Sequence, residues 1–349
     1  MLIKDIAKFN PKGVKPSDYI NYVDTSSVED GKLIEIQKLY SDIPSRAQRV
    51  ISKNDIFISS VRPNLKHNYY VNNHIEKGVA STGFIQIRVC SDIVLPKYLY
   101  YFLTEKNKVK MYQNIAETSQ STFPSFNKEV IENIEFPDIS LADQQHIVDI
   151  LGSIDDKIEN NEKKIKKITD YTVLLIQKEC KPNTELKAFI KFIKGKKPIE
   201  NGVSTAPYLS IEAITTANYS QEYSDGMVMA ETYDILMVMD GASSGTVFSH
   251  QNGIVASTLA KIETPANIND YLYWYLLSMK DIIKLRNTGS AIPHANKDFI
   301  GSLLFDYSQA TDKNLTEELH RLRENIYNIQ KENIKLNELK QLYLQKFFG

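Results

Sequence analysis

The sequence predicts an α+β (mixed α/β) protein. Two similar domains are separated by two long antiparallel coiled-coil helices, in an internal repeat with a pseudo-two-fold axis. Three observations lead there. A heptad seam runs through SLADQQHIVDILGSIDDKIENNEKKIKKITDYTVLLIQK, Ser140 to Lys178. A second seam runs from about Asp312 to Phe347. The block before the first seam recurs, shortened, before the second. The expected division is 1–139, first domain; 140–181, central helix; 182–310, second domain; and 311–349, terminal helix.

The first block opens with a short apolar-alternating segment and a polar loop from Asn10 to Asp18. YVDTSS (Tyr22 to Ser27) and DIFISSV (Asp55 to Val61) read as strands between turn residues. A loop, RPNLKHNYYVNNHIEKG, follows; GVASTGFIQIRV then forms a turn and a strand with Ile85, Ile87 and Val89 on one face. Pro96 suits the first turn of one helix, PKYLYYFLTEKNKVKMYQ. After the loop ETSQSTFPSFNKEV, a short strand, IENIEFP, leads into the central helix.

Ser140 with Asp143 three residues on is a capping-box pattern. From Ile147 the seam continues as Leu151, Ile154, Ile158, Asn161, Ile165, Ile168, Thr172 and Leu175, with charges between. Pro182 ends it. Such a helix is roughly 55–60 Å long at 1.5 Å rise per residue. A polar Asn161 in the seam sets register at some cost in stability. The last helix repeats the spacing with Leu315, Leu319, Leu322, Ile326, Ile329, Asn333 and Leu336, again with an Asn. Antiparallel packing would hold the two blocks at opposite ends of a rod.

The repeat is legible segment by segment. DIFISSV matches DILMVMD, VASTGFIQI matches VASTLAKIE, YLYYFL matches YLYWYLL, and STFPSFNKEVI matches SAIPHANKDFI. The pairs Asp55/Asp234, Ser81/Ser257, Tyr98/Tyr271 and Pro124/Pro293 stand 179, 176, 173 and 169 residues apart. Order is kept while loops shorten, as a duplicated domain requires. The loop RPNLKHNYYVNNHIEKG stands against DGASSGTVFSHQNG, so one scaffold carries two chemically different loops.

At 42% hydrophobic and 24% charged, the composition is that of a soluble globular protein. No stretch approaches a membrane span, and the start MLIKDIAKFN lacks a signal-peptide core, so a cytoplasmic location with no membrane contact is expected. Cys90 and Cys180 show no metal or redox spacing and are expected to be buried or inert. A net charge of −1 argues against non-specific coating of nucleic acid. It leaves room for a local basic surface: Arg46, Arg49, Lys53, Arg62 and Lys66 face a single acid, Asp55.

No catalytic motif is present. The sequence lacks a phosphate-binding G-x-x-x-x-G-K-[ST] loop, and DGASSG has the wrong spacing for a dinucleotide loop. It also lacks the Asn/Asp-Pro-Pro-aromatic signature of amino-methyltransferases. Pro137-Asp138 with Glu162-Lys163-Lys164 superficially matches a nuclease pattern, but the latter residues belong to the charged face of the long helix. The six histidines lack the spacing of a zinc helix, and His146 and His320 are expected at the solvent or seam edge.

What remains suits nucleic-acid contact. Arg62, Asn64, Lys66, His67, Tyr69 and Tyr70 interleave cations, amides and aromatics. Arg46 and Arg49 precede them; Ser81 and Thr82 lie at a turn. Gln120, Ser121, Thr122, Asn127 and Lys128 form a polar loop before a short helix. The second copy offers Lys194, Lys196, Lys197, Ser243, Ser244, Ser257, Thr258, Ser290, His294, Asn296 and Lys297. Singly, each fits a solvated loop better than a contact; their recurrence at equivalent places supports binding.

The run PDISLADQQHIVDILGSIDDKIENNEKKI resembles the central conserved region of the specificity subunits of type I restriction–modification enzymes. The block–helix–block–helix plan is similar over the whole sequence. The resemblance implies two target recognition domains on an antiparallel coiled coil, no catalytic centre, and double-stranded DNA read as two half-sites. It implies two methyltransferase subunits, which bind S-adenosylmethionine and methylate adenine at N6, and restriction/translocase subunits. A stand-alone DNA-modifying enzyme and a coiled-coil protein-binding adaptor are the alternatives.

Overall fold

The computed structural model describes residues 1–16, 18–29, 31–118, 124–178, 181–289 and 292–349. Gln120, Ser121, Thr122, Ser290 and Cys180 lie outside them. The chain forms two compact units, Met1–Lys157 with Leu336–Gly349, and Ile158–Lys335.

The first unit contains β1 (Ala7–Phe9), β2 (Ile20–Val23), β3 (Gln37–Leu39), β4 (Ala47–Val50), β5 (Ile56–Ser59), β6 (Tyr69–Tyr70), β7 (Gly78–Ser81) and β8 (Phe84–Val89). They make two sheets, β1-β8-β5-β6 and β3-β2-β7-β4. All pairs are antiparallel except β2–β7. The helices are α1 (Pro96–Thr104), α2 (Lys106–Glu117), α3 (Lys128–Glu132) and the start of α4 (Leu141–Gln177).

The second unit repeats this plan. The strands of its two main sheets are β9 (Lys191–Lys194), β10 (Thr205–Leu209), β11 (Gln221–Tyr223), β12 (Met229–Ala230), β13 (Ile235–Val238), β14 (Val247–Phe248), β15 (Gly253–Val255) and β16 (Leu259–Glu263). The sheets are β9-β16-β13-β14 and β11-β10-β15-β12, again with one parallel pair, β10–β15. The helices are α5 (Ile211–Thr216), α6 (Asn269–Ser278), α7 (Lys280–Leu285), α8 (Lys297–Ser302), α9 (Tyr307–Ala310) and most of α10 (Lys313–Phe348).

The central strands explain why both faces of the first sheet are covered. All four residues of β5 and all four of β13 are buried. Successive side chains of a strand point to opposite faces. Ile56 and Ile58 therefore enter a core with α1, α2 and α3, while Phe57 enters a second core with the other sheet. Ile235 and Met237 separate from Leu236 and Val238 in the same way.

The capping expected of the central helix is present, and the terminal helix is capped as well. The Asp143 amide donates to Ser140 Oγ at 3.1 Å, and the Leu315 amide to Asp312 Oδ1 at 2.8 Å. Inside the second unit, Asn161 is buried and its Nδ2 donates to Asn333 Oδ1 at 2.8 Å and Glu332 Oε2 at 2.7 Å. Tyr171 donates to Glu318 at 3.0 Å, so within this unit the helices run antiparallel. In the first unit Lys340 pairs with Asp155 at 2.6 Å.

Several sequence-based expectations change. The helix expected over 96–113 is two helices. Buried Glu105 has an extended backbone, and its carboxylate accepts the Asn107 amide, which restarts the chain as α2. YVDTSS is a strand only to Val23; Asp24 then caps the short turn Thr25–Ser27. The loop after Val61 contains β6, whose Tyr70 is buried and donates to Asn54 at 2.9 Å. IENIEFP holds the end of α3 and one bridge, Leu2 to Glu135, rather than a strand. Cys90 is exposed rather than buried, its thiol donating to Ile6 O at 3.4 Å. Among the described residues no helix is long and apolar enough to cross a membrane.

Candidate nucleic-acid interface

In each unit three loops meet at one end of the first sheet, held by equivalent backbone bonds. The Phe126 amide donates to Ser60 O at 3.0 Å and the Arg62 amide to Pro124 O at 2.9 Å. In the second unit Ala295 donates to Met239 O at 2.8 Å and Gly241 to Pro293 O at 2.9 Å. The bridges Val61–Ser125 and Asp240–His294 lie between. The third loop is the β7–β8 turn, whose Gly83 O accepts from the Ser60 amide at 2.9 Å; Thr258 O accepts from Met239 at 2.8 Å. Candidates separated by up to about sixty residues are thus neighbours.

In the first unit, Arg62 and Lys66 are exposed and flank the tight turn Pro63–Leu65. Both have left-handed backbones, φ 47° and 53°. Exposed Asn64 is tied to α2, its amide donating to Gln113 Oε1 at 3.1 Å. The Thr82 amide donates to Arg46 O at 2.8 Å, which brings Arg46 to the same edge; its guanidinium lies 3.8 Å from Asp24. Asn127 is exposed at the start of α3, and Lys128 pairs with Glu132.

Other candidates belong to the scaffold. Ser81 is buried, and its hydroxyl accepts the Gly83 amide. Half-buried Tyr69 pairs with Phe57 in the sheet, and burial pushes its hydroxyl pKa up. Half-buried His67 precedes it. Arg49 lies in β4; burial lowers its guanidinium pKa, and Nε has no partner. Asp55 does not neutralise the surface cations, because it is fully buried against Arg88 at 2.7 Å and Gln86 at 2.7 Å.

In the second unit Asp240 accepts from Lys194 Nζ at 3.1 Å and pairs with His294 Nδ1 at 2.8 Å. Burial pushes the Asp240 carboxyl up, but His294 and Lys194 outweigh it and hold it below its usual range. The sequence reading missed Asp240; its place opposite Val61 in the repeat was the available signal. Lys196 Nζ donates to Gly226 O at 2.7 Å, and Lys197 is exposed. Ser243 is exposed, whereas Ser244 is buried and donates to Gly241 O and Pro293 O. Ser257 and Thr258 are half-buried at the β15–β16 turn. Asn296 caps α8 by accepting the Phe299 amide at 3.0 Å, and Lys297 is exposed, 5.8 Å from the Phe192 ring. Among the described residues, no three His, Cys, Asp or Glu side chains form a metal cluster.

Exposed cations, amides and hydroxyls on a rigid sheet end can contact phosphates and base edges. The type I restriction modification DNA specificity domain family matches residues 2–170. The HindI specificity subunit of Haemophilus influenzae is 32% identical over 142 residues, covering 40% of this chain and 31% of that protein. The MjaVIII specificity subunit of Methanocaldococcus jannaschii is 31% identical over 169 residues, covering 46% and 40%. The matched stretch thus spans about a third to two fifths of the length of these curated relatives. A crystal structure of a type I restriction–modification system S subunit from M. genitalium shares the fold at TM-score 0.57 and 15% identity, covering 100% of this chain and 95% of that one. With its domain duplicated on two seam-bearing helices, the chain is similar to the specificity subunits of type I restriction–modification enzymes, and residues 2–170 carry their DNA specificity domain.

Proposed function

We propose that this chain reads a bipartite double-stranded DNA target, one half-site per domain, for a type I restriction–modification complex. The observation that carries this is the repeated meeting of three loops on one scaffold with different side chains on each copy: Arg62, Lys66 and Ser125 in one, Gly241, Gly245 and His294 in the other. A kept scaffold with exchanged surface chemistry suits two readers of two sequences. The chain acts without a catalytic centre of its own. Two methyltransferase subunits bind S-adenosylmethionine and methylate adenine at N6, restriction/translocase subunits complete the complex, and the assembly works in the cytoplasm. The candidate residues above make the DNA contacts, and the lengths of α4 and α10 set the spacer.

Long-read sequencing of host DNA tests the reading. Deleting the gene should abolish one bipartite methylated-adenine motif, and an unchanged methylome in a strain with an active system would sink it. Exchanging residues 182–310 for those of a relative should change one half-site only. Inserting one heptad near Asn161 and its counterpart should alter the spacer and leave both half-sites intact.

A further inference from the structure

The turn after β5 is kept in both copies, but not with the same residues. Arg62 and Gly241 are equivalent, because each donates its amide to the proline that precedes a short helix, α3 in one copy and α8 in the other, at 2.9 Å. Leu65 and Ser244 close the same turn, donating to Arg62 O and Gly241 O at 3.0 Å. The next residue is Lys66 in one copy and Gly245 in the other. All four have positive φ: 47° and 53° for the cations, 105° and 90° for the glycines.

Glycine adopts this conformation freely, and β-carbon-bearing residues resist it. At Gly241 an added Cβ would meet nothing within 4 Å, so the backbone and not crowding selects glycine there. The first copy keeps the conformation yet places its two cations at these positions. Pro124 O, Gln113 and the Val61–Ser125 bridge hold the turn in place, so the surroundings maintain the strained backbone. The turn itself does not require these side chains, because the second copy makes it with glycines.

We propose that Arg62 and Lys66 are a DNA-phosphate contact pair of the first domain, kept against backbone preference for their charge. This rests on the DNA-reading function proposed above. It makes the first domain's grip more salt-dependent than the equivalent turn of the second can be.

The test uses the full-length chain, a randomised duplex of about 40 base pairs, fluorescence anisotropy across a salt series, and thermal melting. In Arg62→Gly/Lys66→Gly the melting temperature should hold or rise. Duplex affinity should fall at least about tenfold at low salt, with the log–log salt slope shallower by about two. The charge-keeping Arg62→Lys/Lys66→Arg should bind within about threefold of wild type. A folded glycine variant with unchanged affinity and slope overturns the proposal and leaves the DNA-reading function standing. A lower melting temperature in both the glycine variant and Arg62→Asn/Lys66→Asn, which also tolerates positive φ, would show that the side chains serve folding, and overturn it too. No duplex binding by the wild-type chain at low salt removes the function itself.

Discussion

The first and second domains share every strand pairing of their two main sheets, yet they secure that frame with different side chains. Before each central strand an aspartate accepts the amide three residues back, Ser52 to Asp55 and Glu231 to Asp234, both at 2.7 Å. Asp55 is fully buried and adds Gln86 and a two-pronged Arg88 contact. Asp234 is 21% exposed and pairs with Lys261, which occupies the place of Gln86 in the sheet register. The attachment to the long helices differs as well. In the first unit buried Gln144 bonds to Ile93 O, Ile139 O and the Leu95 amide, and Tyr101 donates to Asp155. In the second, buried Arg323 donates to Ser249, Asn269, Asp270 and Tyr233 O. A backbone plan can therefore be inherited while the charges that hold it are exchanged.

The largest expected effect lies in the helix attachment. Arg323→Ala should destabilise the second unit by about 3–5 kcal/mol, because it strips a buried cation from partners arranged around it. Gln144→Ala should cost the first unit about 1–3 kcal/mol, through neutral groups left unpaired. Hydrogen exchange resolved by unit measures both; equal effects would break the contrast.

Asp55→Ala comes next, at about 2–3 kcal/mol, below the full buried-pair figure because the Arg88 side chain is 35% exposed. Asp234→Ala should cost about 1 kcal/mol. Protection of β5 and β13 amides reports each separately.

Exchanging the turn residues the other way sharpens the comparison further. Gly241→Arg should destabilise by about 1–2 kcal/mol from backbone strain alone. Gly245→Lys should cost more, because its Cβ would come within 2.8 Å of Ile283. Thermal melting of the two variants gives the order, and a neutral Gly245→Lys would contradict it.

The smallest effect is on pH dependence. His250 is buried in the second unit, stacked 4.4 Å from Tyr327 and bonded to Glu324 at 2.7 Å. Burial pushes its pKa below 6.5, outweighing the Glu324 bond. The unfolded chain then binds this proton more readily, so stability is lost as pH falls from about 6.5 towards the lowered value. The His250 bond holds Glu324 below its ordinary value, so its contribution is lost only at more acidic pH. Melting between pH 7 and 5 should weaken the second unit, and His250→Asn, which tolerates the φ of 57°, should flatten the response.

Much of the frame was legible beforehand. The seam from Leu151 to Leu175 and the matched segments carry local periodicity and order, which need no knowledge of contacts. The break at Glu105 was not legible: PKYLYYFLTEKNKVKMYQ is helical in pattern throughout, and only the buried carboxylate capping Asn107 divides it. β6 was hidden because two tyrosines in a polar run become a strand only beside Ile56 and Phe57. At the candidate interface the residue types could be read, but the roles of Ser81 and Ser244 could not, since burial is set by neighbours far along the chain.

By itself the sequence determined the duplication, the two helices and the buried Asn161, because each is written in spacing that a helix or a repeat must obey. Only the tertiary structure decided which loops meet, that Asp55 faces Arg88 inside, and that Arg62 and Lys66 sit where the second copy needs glycine. Those facts depend on pairings between residues dozens of positions apart, which composition and local propensity do not encode.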